Sequence, residues 1–130
     1  MTTSTIRVRR LSSLPRAGTI AVDGPIDLRT LGGLQKAVAA ARKQGARTIL
    51  LDLSKVRYIN STGMAYLVTL SDALAETGGR LNLAEPQPKL KVVLDLMGLT
   101  AVLKTWPTLE SAIRALGAAR GARRKVGKPA

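Results

Sequence analysis

Apolar residues follow two different spacings along the chain, and the spacing changes several times. Alternating positions and short continuous apolar runs predict five strands, at residues 5–11, 19–22, 48–53, 81–84 and 102–106. Apolar residues that recur every three or four positions predict four helices, at residues 27–43, 64–76, 88–97 and 109–116. The predicted order is therefore β-β-α-β-α-β-α-β-α.

This order predicts an α/β fold with one central sheet. Strands that alternate with helices form a mostly parallel sheet with right-handed crossovers. The run at residues 48–53 is nearly continuously apolar, as in a strand covered on both faces. The short turn-rich connection after the first strand favours an antiparallel hairpin, which makes the sheet mixed. We expect one domain over residues 1–116, followed by a basic, disordered tail over residues 117–130, where apolar periodicity is absent.

Composition excludes several classes of function. The chain has 130 residues, 45% of them hydrophobic, and it contains no cysteine and no histidine. Disulfides, thiolate or imidazole metal sites, cysteine nucleophiles and histidine-dependent triads are therefore excluded. We expect a protein that is not an enzyme and that uses no metal and no cofactor. The start of the chain has no apolar signal core, and no apolar run approaches membrane-spanning length, so we expect a cytoplasmic protein with no membrane partner.

The charge of the chain favours acidic partners. The formal net charge is +13, and residues 117–130 carry five basic residues and no acid. Long-range attraction to acidic molecules, including nucleic acid, follows from this charge. Two Tyr, one Trp and no Phe leave little surface for stacking on bases. We therefore expect nucleic-acid binding only as a weak contact through the tail.

A short polar turn, Asn60-Ser61-Thr62-Gly63, separates the apolar strand at residues 48–53 from the helical pattern that begins at Met64. In one interpretation, Asn60 or Ser61 accepts a hydrogen bond from a free backbone N–H and caps the helix. In the other, Ser61 accepts a phosphoryl group, since a phosphate at the positive end of a helix dipole is easily accommodated. Gly63 is interpreted as a structural glycine that permits close backbone approach.

Asp27 is a second candidate, and it also has two interpretations. It stands at the start of a predicted helix, where a carboxylate is favoured. Alternatively, it lies near Ser61 and orients its hydroxyl, which requires the second strand to lie beside the third. The turn itself is not a phosphate-binding loop, which needs a glycine-rich frame with Lys-Ser/Thr. It is not a hydrolase elbow either, because position 59 is Ile rather than Gly.

Three segments together resemble the STAS domains of the anti-sigma factor antagonist type. The segment from Asp52 to Met64 is similar to the family's signature, an Asp-Leu-Ser strand end followed by an Asp-Ser-Ser/Thr-Gly-Leu turn into a helix. Gly24-x-Ile26-Asp27 resembles an earlier element of the family, and residues 94–99 resemble its late helix end. The resemblance spans about residues 17–116.

The resemblance implies a non-catalytic switch. Members of the family bind an anti-sigma factor that is also a serine kinase, are released when the kinase phosphorylates them, and are reset by a phosphatase. The acceptor corresponds to Ser61, and the surrounding partner-binding residues correspond to the following set: Asp27, Asn60, Thr62, Gly63 and Met64. The family's turn Asp is Asn60 here, which removes a negative charge beside the acceptor. An alternative role is therefore a STAS docking subunit of a larger signalling or transport assembly, without a phosphoswitch.

Overall fold

The computed structural model describes residues 5–10 and 17–126, with side chains described from residue 17 to residue 117. The strands form one five-stranded sheet in the order β1-β2-β3-β4-β5. β1 is antiparallel to β2, and the remaining neighbours are parallel. The strands are β1 Thr5–Arg10, β2 Ala17–Asp23, β3 Thr48–Lys55, β4 Leu81–Ala84 and β5 Lys104–Trp106. The predicted single-domain α/β fold with a mixed, mostly parallel sheet is confirmed.

Four helices connect and follow the parallel strands, as the apolar spacing predicts. They are α1 Leu28–Lys43, α2 Ser61–Glu76, α3 Pro88–Leu96 and α4 Leu109–Val126. α1 ends where the sequence indicates, since Gly45 just beyond it adopts a positive φ of 103°. No helix in the described part of the chain is long and apolar enough to cross a membrane.

The last strand is shorter than predicted. A 3-10 turn at Leu99–Ala101 follows Gly98, which has a φ of 74°, and the backbone N–H of Leu103 donates back to the Leu99 carbonyl at 2.7 Å. Residues 102 and 103 therefore belong to this turn, and β5 begins at Lys104 rather than at Val102. The apolar pattern could not show this, because Leu103 is fully buried without being in a strand.

The last helix is longer than predicted. Its backbone is helical to Val126, whereas the apolar spacing ends it at Leu116. The extension lacks apolar periodicity but is rich in Ala and Arg, both strong helix formers. The division into a domain over residues 1–116 and a disordered tail over 117–130 stays a prediction, and residues 127–130 lie outside the described residues.

The core has two parts, one on each face of the sheet. The larger part joins one face to α1, α2 and α3, and the smaller part joins the other face to α4. β3 supplies both, since Leu51 faces the larger part and Leu50 the smaller, and both are fully buried. Trp106 packs at the rim of the smaller part, and its indole N–H donates to Asn82 Oδ1 at 3.0 Å.

Candidate functional site

The segments that follow β2 and β3 lie side by side at the carboxyl edge of the sheet. Ile26 and Ile59 form a parallel bridge. The N–H of Ile26 donates to the Tyr58 carbonyl, and the N–H of Asn60 donates to the Ile26 carbonyl, each at 3.0 Å. The second strand therefore does lie beside the third, which places the start of α1 next to the start of α2. Both helices begin at this edge because the parallel strands all end there.

Asn60 is the residue that caps α2. Its Oδ1 accepts a hydrogen bond from the Gly63 N–H at 2.8 Å, and its carbonyl accepts from the Met64 N–H at 2.9 Å. Ser61 is the first residue of the helix and is exposed. Its hydroxyl makes no hydrogen bond to any group in the described part of the chain. Of the two candidates for the cap, the structure thus selects Asn60 and leaves the Ser61 hydroxyl free.

The next three residues divide between surface and interior. Thr62 is exposed beside Ser61, whereas Gly63 and Met64 are buried, Met64 with 7% of its surface accessible. A Cβ on Gly63 would lie 2.8 Å from Ile59 Cγ2 and 2.9 Å from Ile26 Cγ2. Gly63 is therefore required for close packing, as the sequence indicates. Gly63 and Met64 support the turn from beneath rather than forming part of its surface.

The carboxylate of Asp27 is engaged at the start of its own helix. Oδ1 accepts from the Arg29 N–H at 2.9 Å, and Oδ2 accepts from Arg29 Nη2 at 3.1 Å. In return, the Asp27 N–H donates to Thr30 Oγ1 at 3.0 Å, which completes a capping box. The Tyr58 hydroxyl lies 3.5 Å from Oδ2. Within the described residues no hydrogen bond joins this carboxylate to Ser61, so its contacts are those of a helix-start residue.

The guanidinium of Arg29 lowers the pKa of the Asp27 carboxyl below its usual value of 3.8. The hydrogen bond from Arg29 is the largest cause, and partial burial of the carboxyl opposes it. The same pair raises the pKa of Arg29. Asp27 therefore carries its charge at neutral pH, close to the turn that holds Ser61.

Two exposed apolar side chains lie at the same edge of the sheet as this turn. Leu28 follows the cap of α1 and is 74% exposed, and Tyr58 precedes the turn and is 50% exposed. Neither residue is among the candidates that the sequence indicates. Leu28 continues the three-residue spacing of Leu31 and Leu34, so the pattern alone gives no sign that it faces solvent. Tyr58 could have been selected, because tyrosine, with an apolar ring and a polar hydroxyl, is enriched at protein interfaces.

Most of the excess charge belongs to the two ends of the chain. Residues 17–117 contain twelve of the 21 basic residues and all eight acidic ones, a net charge of +4. The other nine basic residues lie in the two ends, for which no side chain is described. Nucleic-acid binding through the tail therefore stays a prediction. No cluster of acidic side chains able to hold a metal ion occurs among residues with described side chains.

The model of the STAS domain family matches residues 9–112. The chain belongs to the STAS domain family. BtrV of Bordetella bronchiseptica, a protein named as an anti-sigma factor antagonist, is 26% identical over 94 residues, which cover 72% of this chain and 81% of BtrV.

Solved structures share the fold. The crystal structure of an anti-sigma factor antagonist from Mycobacterium paratuberculosis superposes with a TM-score of 0.75 at 24% identity, covering 88% of this STAS chain and 94% of that one. Unphosphorylated SpoIIAA, also an anti-sigma factor antagonist, gives a TM-score of 0.70 at 19% identity, covering 97% and 100%. SpoIIAA of Bacillus is known in its phosphorylated form as well, with a TM-score of 0.67 at 18% identity, covering 86% and 99%.

Proposed function

We propose that this STAS protein is a cytoplasmic anti-sigma factor antagonist that works as a phosphoswitch. Unphosphorylated, it binds an anti-sigma factor that is also a serine kinase. Phosphorylated on Ser61, it releases that partner, and a phosphatase resets it. The observation that carries the proposal is the position of Ser61, an exposed hydroxyl with no hydrogen-bond partner among the described residues, on the first residue of α2.

The start of α2 suits a phosphate. The N–H of Gly63 is taken by the Asn60 side chain, but those of Ser61 and Thr62 bond to no other described group. A phosphate on Ser61 would stand beside these donors and at the positive end of the helix dipole. It would add nearly two negative charges to a surface that binds a partner around a neutral hydroxyl. The related SpoIIAA exists in a phosphorylated form, which supports the proposal that this protein is phosphorylated too.

The surface around Ser61 has the composition of a protein interface. Leu28 and Tyr58 supply exposed apolar area, and Arg29, whose side chain is exposed, holds its guanidinium beside Asp27. Aromatic residues and arginine are enriched in protein interfaces, where a few anchors carry most of the binding energy. We therefore assign Leu28 and Tyr58 as apolar anchors for the anti-sigma factor, and Ser61 with Thr62 as polar residues of the same interface.

A direct test combines phosphorylation with binding. The protein is incubated with ATP and each candidate anti-sigma kinase of its organism, and the phosphate is located by mass spectrometry. We expect phosphate on wild type and on Thr62→Ala, and none on Ser61→Ala. Ser61→Asp is expected to weaken binding about tenfold or more, whereas Thr69→Asp adds the same charge to an exposed position about 12 Å further along α2 and should leave binding unchanged.

Asn60 favours a second candidate, a STAS docking subunit without a phosphoswitch. An amide caps the helix as well as a carboxylate does, but it does not place a negative charge beside the acceptor. This candidate predicts a stable complex with a protein that is not a kinase, and binding that Ser61→Asp does not change. If no kinase phosphorylates Ser61 and Ser61→Asp binds like wild type, the phosphoswitch is rejected in favour of the docking subunit.

A further inference from the structure

Basic residues predominate at the edge of the sheet where the parallel strands begin, which we call the amino edge. Arg47 directly precedes β3, and Arg80 directly precedes β4. At the carboxyl edge acids and bases nearly cancel, and they are Asp23, Asp27, Asp52, Glu85 and Glu110 against Arg29, Lys55, Arg57 and Lys89. The positive charge of the folded domain is therefore concentrated on the side away from Ser61.

Arg47 and Arg80 are held next to each other by the backbone. The N–H of Ile49 donates to the Arg80 carbonyl at 3.0 Å, and a Cβ on Gly79 would collide with the Arg47 carbonyl. Both arginine side chains are exposed, and neither forms an ion pair with another residue whose side chain is described. They are available to an external anion, which guanidinium groups bind through paired hydrogen bonds.

Two other elements bring basic residues to the same edge. α1 ends here with Arg42 and Lys43, and the antiparallel strand β1 ends here with Arg10, whose Cα is aligned with that of Gly18 near the start of β2. We call the following set the basic edge: Arg10, Arg42, Lys43, Arg47 and Arg80.

The last helix runs toward the basic edge. The N–H of Leu109 donates to Glu85 at 3.0 Å, so α4 begins at the carboxyl edge, and it runs back over the sheet with Ala112 and Leu116 packed against the smaller part of the core. Its last turns carry four further basic residues, Arg120, Arg123, Arg124 and Lys125. Their charges add to those of the basic edge at long range.

Two acids in the described part of the chain oppose this charge. Glu76 ends α2, and Asp95 lies in the last turn of α3. Asp95 already pairs with Lys91 at 3.0 Å. The bases of the amino edge therefore exceed the acids that could neutralise them.

The layout of the basic edge matches a phosphate backbone. Neighbouring strands lie about 4.8 Å apart, so the span from β1 to β4 is roughly 14 Å. One strand of a duplex presents a phosphate about every 3.4 Å, and the basic edge can therefore follow about four phosphates. Large apolar residues are absent from positions 117–125, whereas a basic helix that lies on a membrane alternates them with its charges. Nucleic acid is thus favoured over a lipid surface.

We infer that this protein binds the phosphate backbone of a nucleic-acid duplex through the basic edge, without sequence preference. Backbone contacts carry no sequence information, which is read from base edges. The contact involves the folded domain itself as well as the tail. It does not depend on the proposed phosphoswitch, because the basic edge and Ser61 lie at opposite edges of the sheet.

Fluorescence anisotropy of a labelled DNA duplex of about 20 base pairs, titrated with the full chain, tests the inference. At about 0.15 M salt we expect a Kd of about 10–100 μM, and a duplex of unrelated sequence should bind equally well. With about four phosphate contacts, log K should fall against log salt with a slope of about −3.6.

Charge reversal locates the contact. Arg47→Glu with Arg80→Glu should raise the Kd about tenfold or more and make the salt slope shallower by about two. Lys55→Glu with Arg57→Glu is the matched control, since it reverses two exposed charges at the carboxyl edge and changes the net charge equally. The control should change the Kd by about threefold or less and leave the slope unchanged. Circular dichroism checks that each variant keeps its helices.

Two further samples separate this inference from its alternatives. Ser61→Asp should bind the duplex like wild type, whatever it does to binding of an anti-sigma factor. Vesicles of phosphatidylcholine with phosphatidylserine should not compete for the protein. A wild type that does not bind DNA, equal losses in the two double variants, or unchanged binding by Arg47→Glu with Arg80→Glu would each overturn the inference. Binding to the vesicles in preference to the duplex would overturn it as well.

Discussion

The two helix starts at the carboxyl edge of the sheet are neighbours, but their polar groups are used differently. At the start of α1, Asp27 takes part in a capping box and an ion pair with Arg29. At the start of α2, Asn60 makes one capping bond and the hydroxyl of Ser61 has no partner in the described part of the chain. The polar groups at the start of α1 therefore bond to one another, whereas the Ser61 hydroxyl at the start of α2 is available to another molecule.

The difference shows how one side chain can free its neighbour. Because Asn60 satisfies the Gly63 N–H, Ser61 is not needed for the cap, and a change to its hydroxyl leaves the helix intact. Because Asp27 is held by Arg29, it is not drawn toward Ser61. Structural and functional roles are thus carried by adjacent residues at α2, and they can be separated by mutation.

The largest expected effect on the free energy of unfolding comes from the close packing beneath the start of α2. Gly63→Ala places a methyl group against Ile26 and Ile59, and we expect a loss of about 1–3 kcal/mol in the free energy of unfolding. Gly32→Ala in α1 is the control, since no atom lies within 4 Å of the added Cβ, and it should stabilise by about 0.5–1 kcal/mol. Urea denaturation measures both. Equal effects of the two substitutions would contradict the packing argument.

A smaller effect is expected from the cap itself. Asn60→Ala removes the hydrogen bond to Gly63 and should lower the free energy of unfolding by about 1 kcal/mol. Asn60→Asp retains the cap and adds a negative charge at the helix N-terminus, where it is favoured. We therefore expect Asn60→Asp to be at least as stable as wild type at pH 7 in urea denaturation. If Asn60→Asp proves as unstable as Asn60→Ala, the side chain at this position does not cap α2.

The Asp27–Arg29 ion pair at the start of α1 should make the free energy of unfolding depend on pH. Since Arg29 lowers the pKa of Asp27 below 3.8, the carboxylate's contribution is fully present above that pH and is lost as the pH falls through the folded-state pKa. Asp27→Asn keeps a capping side chain but removes the charge. Wild type should be more stable than Asp27→Asn at pH 6, and the difference should shrink as the pH is lowered below 3.8 and through the folded-state pKa. A difference that is constant with pH would exclude the ion pair as its cause.

The smallest expected effect is at Ser61. Ser61→Ala should change the free energy of unfolding by no more than about 0.5 kcal/mol, because its hydroxyl is exposed and has no partner among the described residues. Thermal unfolding of Ser61→Ala beside Asn60→Ala measures the contrast. If Ser61→Ala lowers the free energy of unfolding as much as Asn60→Ala does, the Ser61 hydroxyl is part of the helix cap. Capping and phosphate acceptance could then not be separated by mutation.

The sequence alone determined the fold class, the order of the elements and the place of the turn. Apolar spacing sets these because the period of a helix differs from that of a strand, and the unbroken apolar run of β3 indicates cover on both faces. The alternating pattern could not give the start of β5, since Leu103 is buried in a turn. It also could not give the end of α4, where Ala and Arg continue the helix without an apolar face.

Only the tertiary structure decided which polar side chains cap the helices and which remain free to bind another molecule. Asn60 and Ser61 are equivalent cap candidates in sequence, and their roles separate only when the backbone geometry brings one side chain to the Gly63 N–H. The start of α1, with Asp27, lies beside the start of α2 only because β2 pairs with β3. Leu28, Val92 and Leu96 have the spacing of core residues, yet they are exposed, because burial depends on which face of a helix meets the sheet.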